Sequence, residues 1–244
     1  MAKLPEGWTL ERLDNIASVE RGKFSARPRN DPKYFGGKYP FVQTGDVREA
    51  NVTIKKYSQT LNDEGLAVSR TFPPNTILIT IAANIGEVAI TTFEIACPDS
   101  LVGIQANEDI DYKWLFYMLS TYKDKLDYIA TQNAQKNINL QILRPLKIPL
   151  PPLAEQKVIA QILGTWDEAI ATTEALIEAL TLRKRALMQR LLTGEVRFPG
   201  FVESDEMQET KFGNIPADWD YVQIKDLAKP VSKKNNNDDD LTVL

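Results

Sequence analysis

Histidine is absent from this 244-residue chain, and cysteine occurs once, at Cys97. Without histidine there is no Ser-His-Asp or Cys-His nucleophile, no His-ligated zinc, and no general base titrating unperturbed near neutrality. One cysteine excludes an internal disulfide and, with no second soft ligand, a thiolate metal site. The composition fits a reducing, cytoplasmic setting. No apolar run approaches the ~18 residues of a membrane span, and no charged segment leads into an apolar one at the N-terminus. A membrane partner and a secretory signal are therefore not expected. Also missing are Gly-x-x-x-x-Gly-Lys, Gly-x-Gly-x-x-Gly and an Asn-Pro-Pro-aromatic motif. No cofactor is expected, and the chain reads as non-catalytic.

Charge is unevenly placed. Residues 203–244 hold 5 Lys/Arg against 10 Asp/Glu, leaving 24 against 23 for residues 1–202. Within the near-neutral body, Arg21, Lys23, Arg27, Arg29, Lys33 and Lys38 face only Glu20 and Asp31. Pro and Gly in this stretch predict a basic loop, a surface suited to phosphates.

Short β patterns at 39–42, 52–54, 76–81 and 87–91, the last two joined by a turn at 84–86, predict a sheet-rich domain over residues 1–152. Glu11 to Val19 reads as a short helix, and Tyr112 to Tyr122 as another with Asp111 as its N-cap. After Pro149-Leu150-Pro151-Pro152 the pattern changes. Apolar residues recur at Ile159, Ile162, Trp166, Ile170, Ile177, Leu180, Leu187 and Leu191, with Thr173 and Lys184 filling the remaining slots of a narrow seam. The three-and-four spacing predicts one long helix over 153–194, roughly 60 Å in length, ended by Gly194 and needing a partner along its seam. The fold class is α+β.

The opening of the chain recurs near its end. Leu4-Pro5-Glu6-Gly7-Trp8, followed by Leu13, Ile16 and Ala17, is matched by Ile215-Pro216-Ala217-Asp218-Trp219, followed by Ile224, Leu227 and Ala228. A period that long is a whole module, so residues 195–210 read as a linker and 211–244 as the start of a second, truncated module with a disordered polar tail.

Two polar segments suit base edges. Gln43, Thr44, Asp46 and Arg48 stand where a strand end opens into a turn, and Gln132, Asn133, Gln135, Lys136 and Asn137 form an amide-rich stretch. Asn and Gln can pair bidentately with adenine, and Lys can reach guanine or phosphate. Pro98-Asp99 with Asp111-Tyr112-Lys113 matches a loose metal-dependent nuclease pattern, but helix capping by Asp111 accounts for half of it.

Leu150-Pro151-Pro152-Leu153-Ala154-Glu155-Gln156, running into Ile159-Ala160-Gln161-Ile162-Leu163 and Trp166-Asp167-Glu168-Ala169-Ile170, resembles the conserved region of specificity subunits of type I restriction-modification systems. The Leu-Pro-x-Gly-Trp opening, residues 39–46 and Gln135-Lys136-Asn137-Ile138 resemble parts of that family's target-recognition domain. The resemblance implies a half-length specificity subunit that selects double-stranded DNA and brings methyltransferase and restriction subunits to it. Full-length members carry two recognition domains on two antiparallel spacer helices. Here the seam is expected to pair as an antiparallel coiled coil with a second copy, or with a different half-subunit, giving a gapped palindromic site. The competing readings are a coiled-coil adaptor that does not touch DNA, and the nuclease.

Overall fold

The protein is described by a computed structural model covering residues 4–132, 137–211 and 213–230. It divides into two compact units, residues 1–171 and 172–244.

The first unit begins with β1 (Thr9–Arg12), α1 (Leu13–Ile16), β2 (Ala17–Arg21), β3 (Phe35–Phe41), α2 (Thr44–Glu49), β4 (Thr53–Ile54) and β5 (Gln59–Leu61). It continues with α3 (Asp63–Ala67), β6 (Arg70–Phe72), β7 (Ile77–Thr80), β8 (Val88–Thr91), β9 (Ile95–Cys97) and β10 (Leu101–Ala106). Helices α4 (Tyr112–Ser120), α5 (Lys123–Thr131) and α6 (Leu140–Leu143) follow, then β11 (Lys147–Leu150) and α7 (Leu153–Leu192), which runs on into the second unit.

Three sheets result, in the orders β2-β10-β7-β8-β4, β5-β3-β9-β6 and β1-β11. Alternation along each strand sorts side chains into two layers. Ile77 and Ile79 face a core shared with α4, α5, α6 and the first turns of α7, while Leu78 between them faces Phe72, Ile95 and Cys97 of the four-stranded sheet. A third cluster, of Phe24, Ala26, Phe41, Leu61 and Ala96, covers the far side of that sheet. The sheets approach closely because β10 carries Gly103 where a Cβ would stand 2.3 Å from the Phe72 ring. Each fully buried Leu or Ile contributes about 1.5–3 kcal/mol, so these layers hold the unit together.

The expected strands form, with β3 starting earlier at Phe35. The helix expected over 11–19 does not form. Only the single turn α1 is helical, because Ala17 and Val19 turn inward while Ser18 and Glu20 point out, and β2 pairs antiparallel with Val102–Ala106. That ladder outweighs a weak local helical preference. The expected basic loop is also more ordered than its Pro and Gly suggest. From Arg21 to Arg27 the chain is extended, exposed at Arg21, Lys23, Ser25 and Arg27 and buried at Gly22, Phe24 and Ala26. Asp111 caps α4 by accepting the Trp114 amide at 2.9 Å; α4 ends at Ser120 and α5 follows.

In α7, only Gln156 and Ala160 are buried. The helix ends where Gly194 takes φ +76° and the Val196 amide bonds back to the Arg190 carbonyl at 3.0 Å, a left-handed stop. The second unit adds the hairpin β12 (Met207–Thr210) with β13 (Gly213–Pro216) and the single turn α8 (Ile224–Leu227). Within residues 195–210, β12 supplies one strand of that hairpin. The polar tail expected to be disordered, 231–244, lies outside the described residues. Among the described residues no helix is long and apolar enough to cross a membrane.

Candidate nucleic-acid interface and helix face

Extended backbone repeats every two residues, so the segment after β2 lines Arg21, Lys23 and Arg27 along one outward row. Phe24 anchors it, with its ring centroid 4.9 Å from that of Phe41 and 5.6 Å from that of Phe35. Arg21 donates to the Asp99 carbonyl at 2.5 Å and Arg29 to the Asp99 carboxylate at 2.6 Å. Arg70 joins them, donating to the Arg21 carbonyl at 2.7 Å and pairing with Glu20 at 3.1 Å. Its sequence gives no local signal; the β6–β9 pairing and the antiparallel bridge of Ser69 to Phe24, with the Arg70 amide donating to the Lys23 carbonyl at 3.1 Å, bring it here. These ion pairs are exposed and worth at most about 1 kcal/mol each, so the cations can exchange them for phosphate.

The predicted polar turn after β3 is helical. Gln43 caps α2, its amide donating to Asp46 at 2.7 Å, and Asp46 also accepts the Ser58 amide at 3.0 Å and hydroxyl at 3.2 Å. Those bonds occupy the Asp46 carboxylate in holding the turn. Gln43 donates its side-chain amide to Gln59 at 3.0 Å, adding a second amide that the sequence did not single out. Thr44 is half-buried and Arg48 exposed. Because Phe41 precedes Gln43 by two residues and packs on Phe24, the turn and the cationic row border one aromatic cluster.

Gln132 is exposed just after α5, and Asn137 is exposed and bridges to Ala82, beyond the end of β7. Asn133, Gln135 and Lys136 lie outside the described residues. Lys123 at the start of α5 pairs with Glu87 at 2.7 Å, tying this region to the β7–β8 turn.

The Pro-Pro-Leu-Ala-Glu-Gln run is a joint between sheet domain and helix. Glu155 accepts the Trp8 indole N–H at 3.2 Å. Gln156, 1% exposed, accepts the Asp111 amide and donates to the Pro151 carbonyl, both at 2.9 Å. One turn on, Ala160 is buried in the core and Ile159 packs against it, so Ile159 is partly used by its own domain rather than wholly offered to a partner. Tyr117 donates to Asp167 at 2.5 Å, and its hydroxyl pKa is raised by burial and then by that carboxylate.

Beyond the joint the seam lies open. Ile162, Trp166, Ile170, Ile177, Leu180 and Leu187 are each 45–67% exposed, while Leu191 is half-buried. The nuclease carboxylates have other employment, Asp99 with Arg29 and Asp111 at its cap. Among the described residues no cluster of three or more acidic or cysteine side chains could hold a metal. Cys97 is fully buried, and burial pushes its thiol up to about 12, which makes it unreactive.

Residues 5–182 match the family model of the type I restriction modification DNA specificity domain. A Methanocaldococcus jannaschii protein assigned as the type I restriction enzyme MjaX specificity subunit is 31% identical over 92% of this chain and 53% of its own. The MjaVIII specificity subunit of the same organism is 28% identical over 95% and 52%. The chain thus spans about half the length of these curated relatives. The fold is similar to that of the HsdS subunit from Thermoanaerobacter tengcongensis, at a TM-score of 0.54 and 21% identity over 78% of this chain and 46% of that one. A structure of type I restriction-modification complex assembly superposes at a TM-score of 0.61 with 22% identity, over 78% and 46%. The chain belongs to the type I restriction-modification DNA specificity family.

Proposed function

We propose that this chain selects the DNA sequence for a type I restriction-modification complex and performs no chemistry itself. Residues 1–152 act as the recognition domain, 153–194 as the spacer helix, 195–210 as a link and 211–244 as the opening of a further module. The observation that carries DNA binding is the outward row Arg21, Lys23 and Arg27 on a sheet framework, with Arg29 and Arg70 beside it. Such cations supply a salt-sensitive attraction that positions the duplex without reading it. Reading falls to amides beside the row, Gln43 and Gln59, with Thr44 and Arg48, and to the 132–137 segment. Asp46 contributes by fixing the turn.

The open seam on α7 supports pairing of two chains through their helices, which carries two recognition domains and gives a gapped palindromic site. A ~60 Å helix spans roughly 17 base pairs at 3.4 Å each. The domain–helix joint and the helix flanks recruit the methyltransferase and restriction subunits.

The test is single-molecule sequencing of methylated bases in cells where this is the sole specificity chain beside its modification subunits. A gapped palindrome is expected, and a non-palindromic site overturns the paired reading. If the purified chain with its methyltransferase partner shows no salt-dependent binding to duplex DNA, the adaptor reading replaces this one.

A further inference from the structure

We propose that Asp99 is a counter-ligand built into the cationic row: it competes with DNA phosphate for Arg29 and so limits the sequence-independent hold of this chain on DNA. This rests on the DNA-binding role proposed above and names the residue that sets the strength of its phosphate contacts.

The carboxylate sits on a rigid mount. Pro98-Asp99-Ser100 is the turn between β9 and β10, closed by the Leu101 amide donating to the Pro98 carbonyl at 3.1 Å. The turn is stitched to the row itself, with the Gly22 amide donating to the Leu101 carbonyl at 2.8 Å and the Lys23 amide to the Cys97 carbonyl at 3.0 Å. Gly22 permits that approach, since a Cβ there would stand 2.3 Å from the Pro98 carbonyl oxygen and 2.7 Å from the Cys97 sulfur. Asp99 therefore stays against the row when a polyanion approaches.

Its oxygens act differently on two arginines. The main-chain carbonyl accepts from Arg21 Nε at 2.5 Å, and the carboxylate accepts from Arg29 Nη2 at 2.6 Å. The first bond orients Arg21 and leaves its charge for DNA; the second neutralises Arg29. The Asp99 and Arg29 side chains are 43% and 48% exposed, so phosphate can exchange into the pair, which resists by at most about fivefold in the binding equilibrium. The larger consequence is in ion release. An arginine meeting a phosphate frees a counterion, worth about 0.9 in the salt slope. When Arg29 leaves Asp99 for phosphate, the bare carboxylate beside a polyanion gathers a cation from solution, and the two movements offset each other. Arg29 then adds little net attraction. Non-target DNA is held through its phosphates, so this restraint leaves a larger share of binding to base contacts.

Glu20 supplies the contrast. It carries the same charge on the same surface and pairs with Arg70 at 3.1 Å, but Arg70 also donates to the Arg21 carbonyl at 2.7 Å. Removing Glu20 leaves Arg70 tethered, whereas removing the Asp99 carboxylate sets Arg29 free.

The test titrates the chain, with its methyltransferase partner, against a mixed-sequence duplex across ionic strength. Asp99→Asn and Asp99→Ser keep the backbone bonds that close the turn, and both are expected to bind about fivefold tighter at low salt, with a slope steeper by about 0.9. Glu20→Gln is expected to steepen it by less than half as much. Weaker binding by both Asp99 variants means that the carboxylate positions Arg29 for DNA, and overturns the proposal. An unchanged slope overturns it too, as does steepening by Glu20→Gln of half that size or more, which reduces Asp99 to one negative charge among others. If the unsubstituted complex shows no salt-dependent binding to duplex DNA, the DNA-binding role itself fails and the proposal falls with it.

Discussion

Trp8 and Trp219 make the same turn 211 residues apart, each backbone N–H donating to the carbonyl of the proline three residues earlier, at 3.2 and 3.1 Å. The likeness continues at the same offset. Arg12 and Gln223 precede α1 and α8 with φ/ψ of −81°/146° and −82°/146°, and each helix is a single turn closed by an extended alanine. The repeated sequence is therefore a repeated conformation. Its surroundings differ: Leu13 and Ile16 are 0% and 5% exposed, Ile224 and Leu227 82% and 74%.

That contrast separates local conformation from packing. Leu13→Ala should cost about 2–5 kcal/mol by opening a cavity beneath β7 and β10. Ile224→Ala, in the same local structure, should change stability by no more than about 0.5 kcal/mol. Urea titration of both variants measures the difference, and equal losses would show that α8 is packed in solution.

Gln156 braces the joint between domain and helix. Gln156→Ala leaves the Asp111 amide and the Pro151 carbonyl buried without their partner, a loss of about 1–3 kcal/mol for each unsatisfied group. Hydrogen exchange at the Asp111 amide should accelerate while exchange in β7 changes little. Unaltered protection at Asp111 would mean that water replaces the side chain.

Phosphate contact and base reading should come apart by salt. Replacing Lys23 or Arg27 with Ala should weaken binding to all duplexes alike and lower the salt slope by about 0.9 per contact. Gln43→Ala should leave the slope unchanged and alter the preferred sequence. Filter-binding titrations across ionic strength distinguish these, and a changed preference in Lys23→Ala would reassign it to reading.

Acid should loosen the second unit first at Arg197–Asp218. Arg197 donates to both Asp218 carboxylate oxygens, at 2.6 and 2.8 Å, and these bonds, then the Glu203 amide, hold the Asp218 pKa below the usual carboxylate value. A depressed folded pKa means the stabilisation is present above the unfolded value of about 4 and is lost as pH falls through the folded one. Amide exchange around Glu203 should rise over that acidic window in the native chain, and Asp218→Asn should abolish the dependence. The Arg197 guanidinium lies 5.7 Å from the Trp219 ring centroid, so the ring environment should shift in the same window.

The sequence by itself determined whatever depends on near neighbours or on a sustained period. The α7 seam repeats every three or four residues over ten positions, Asp111 caps the helix that follows it, and Gly194 meets the left-handed turn that only glycine enters freely. The Pro-Pro-Leu-Ala-Glu-Gln run marked the joint without revealing what its Glu and Gln hold. Tertiary structure decided what depends on partners far along the chain. Ala17–Arg21 became a strand because β10, some 85 residues away, offers its edge, and Arg70 reached the cationic row through β9 and through its segment's bridge to Phe24. The Asp46 carboxylate, beyond its local cap on the Gln43 amide, was filled by Ser58 because that distant residue comes within reach of it. Ile159, indistinguishable from Ile162 by period, was taken partly into the core because α7 lies against the domain there. Local sequence encodes torsion preference and periodicity; which face is covered, and which polar atom is already bonded, is settled only when distant segments meet.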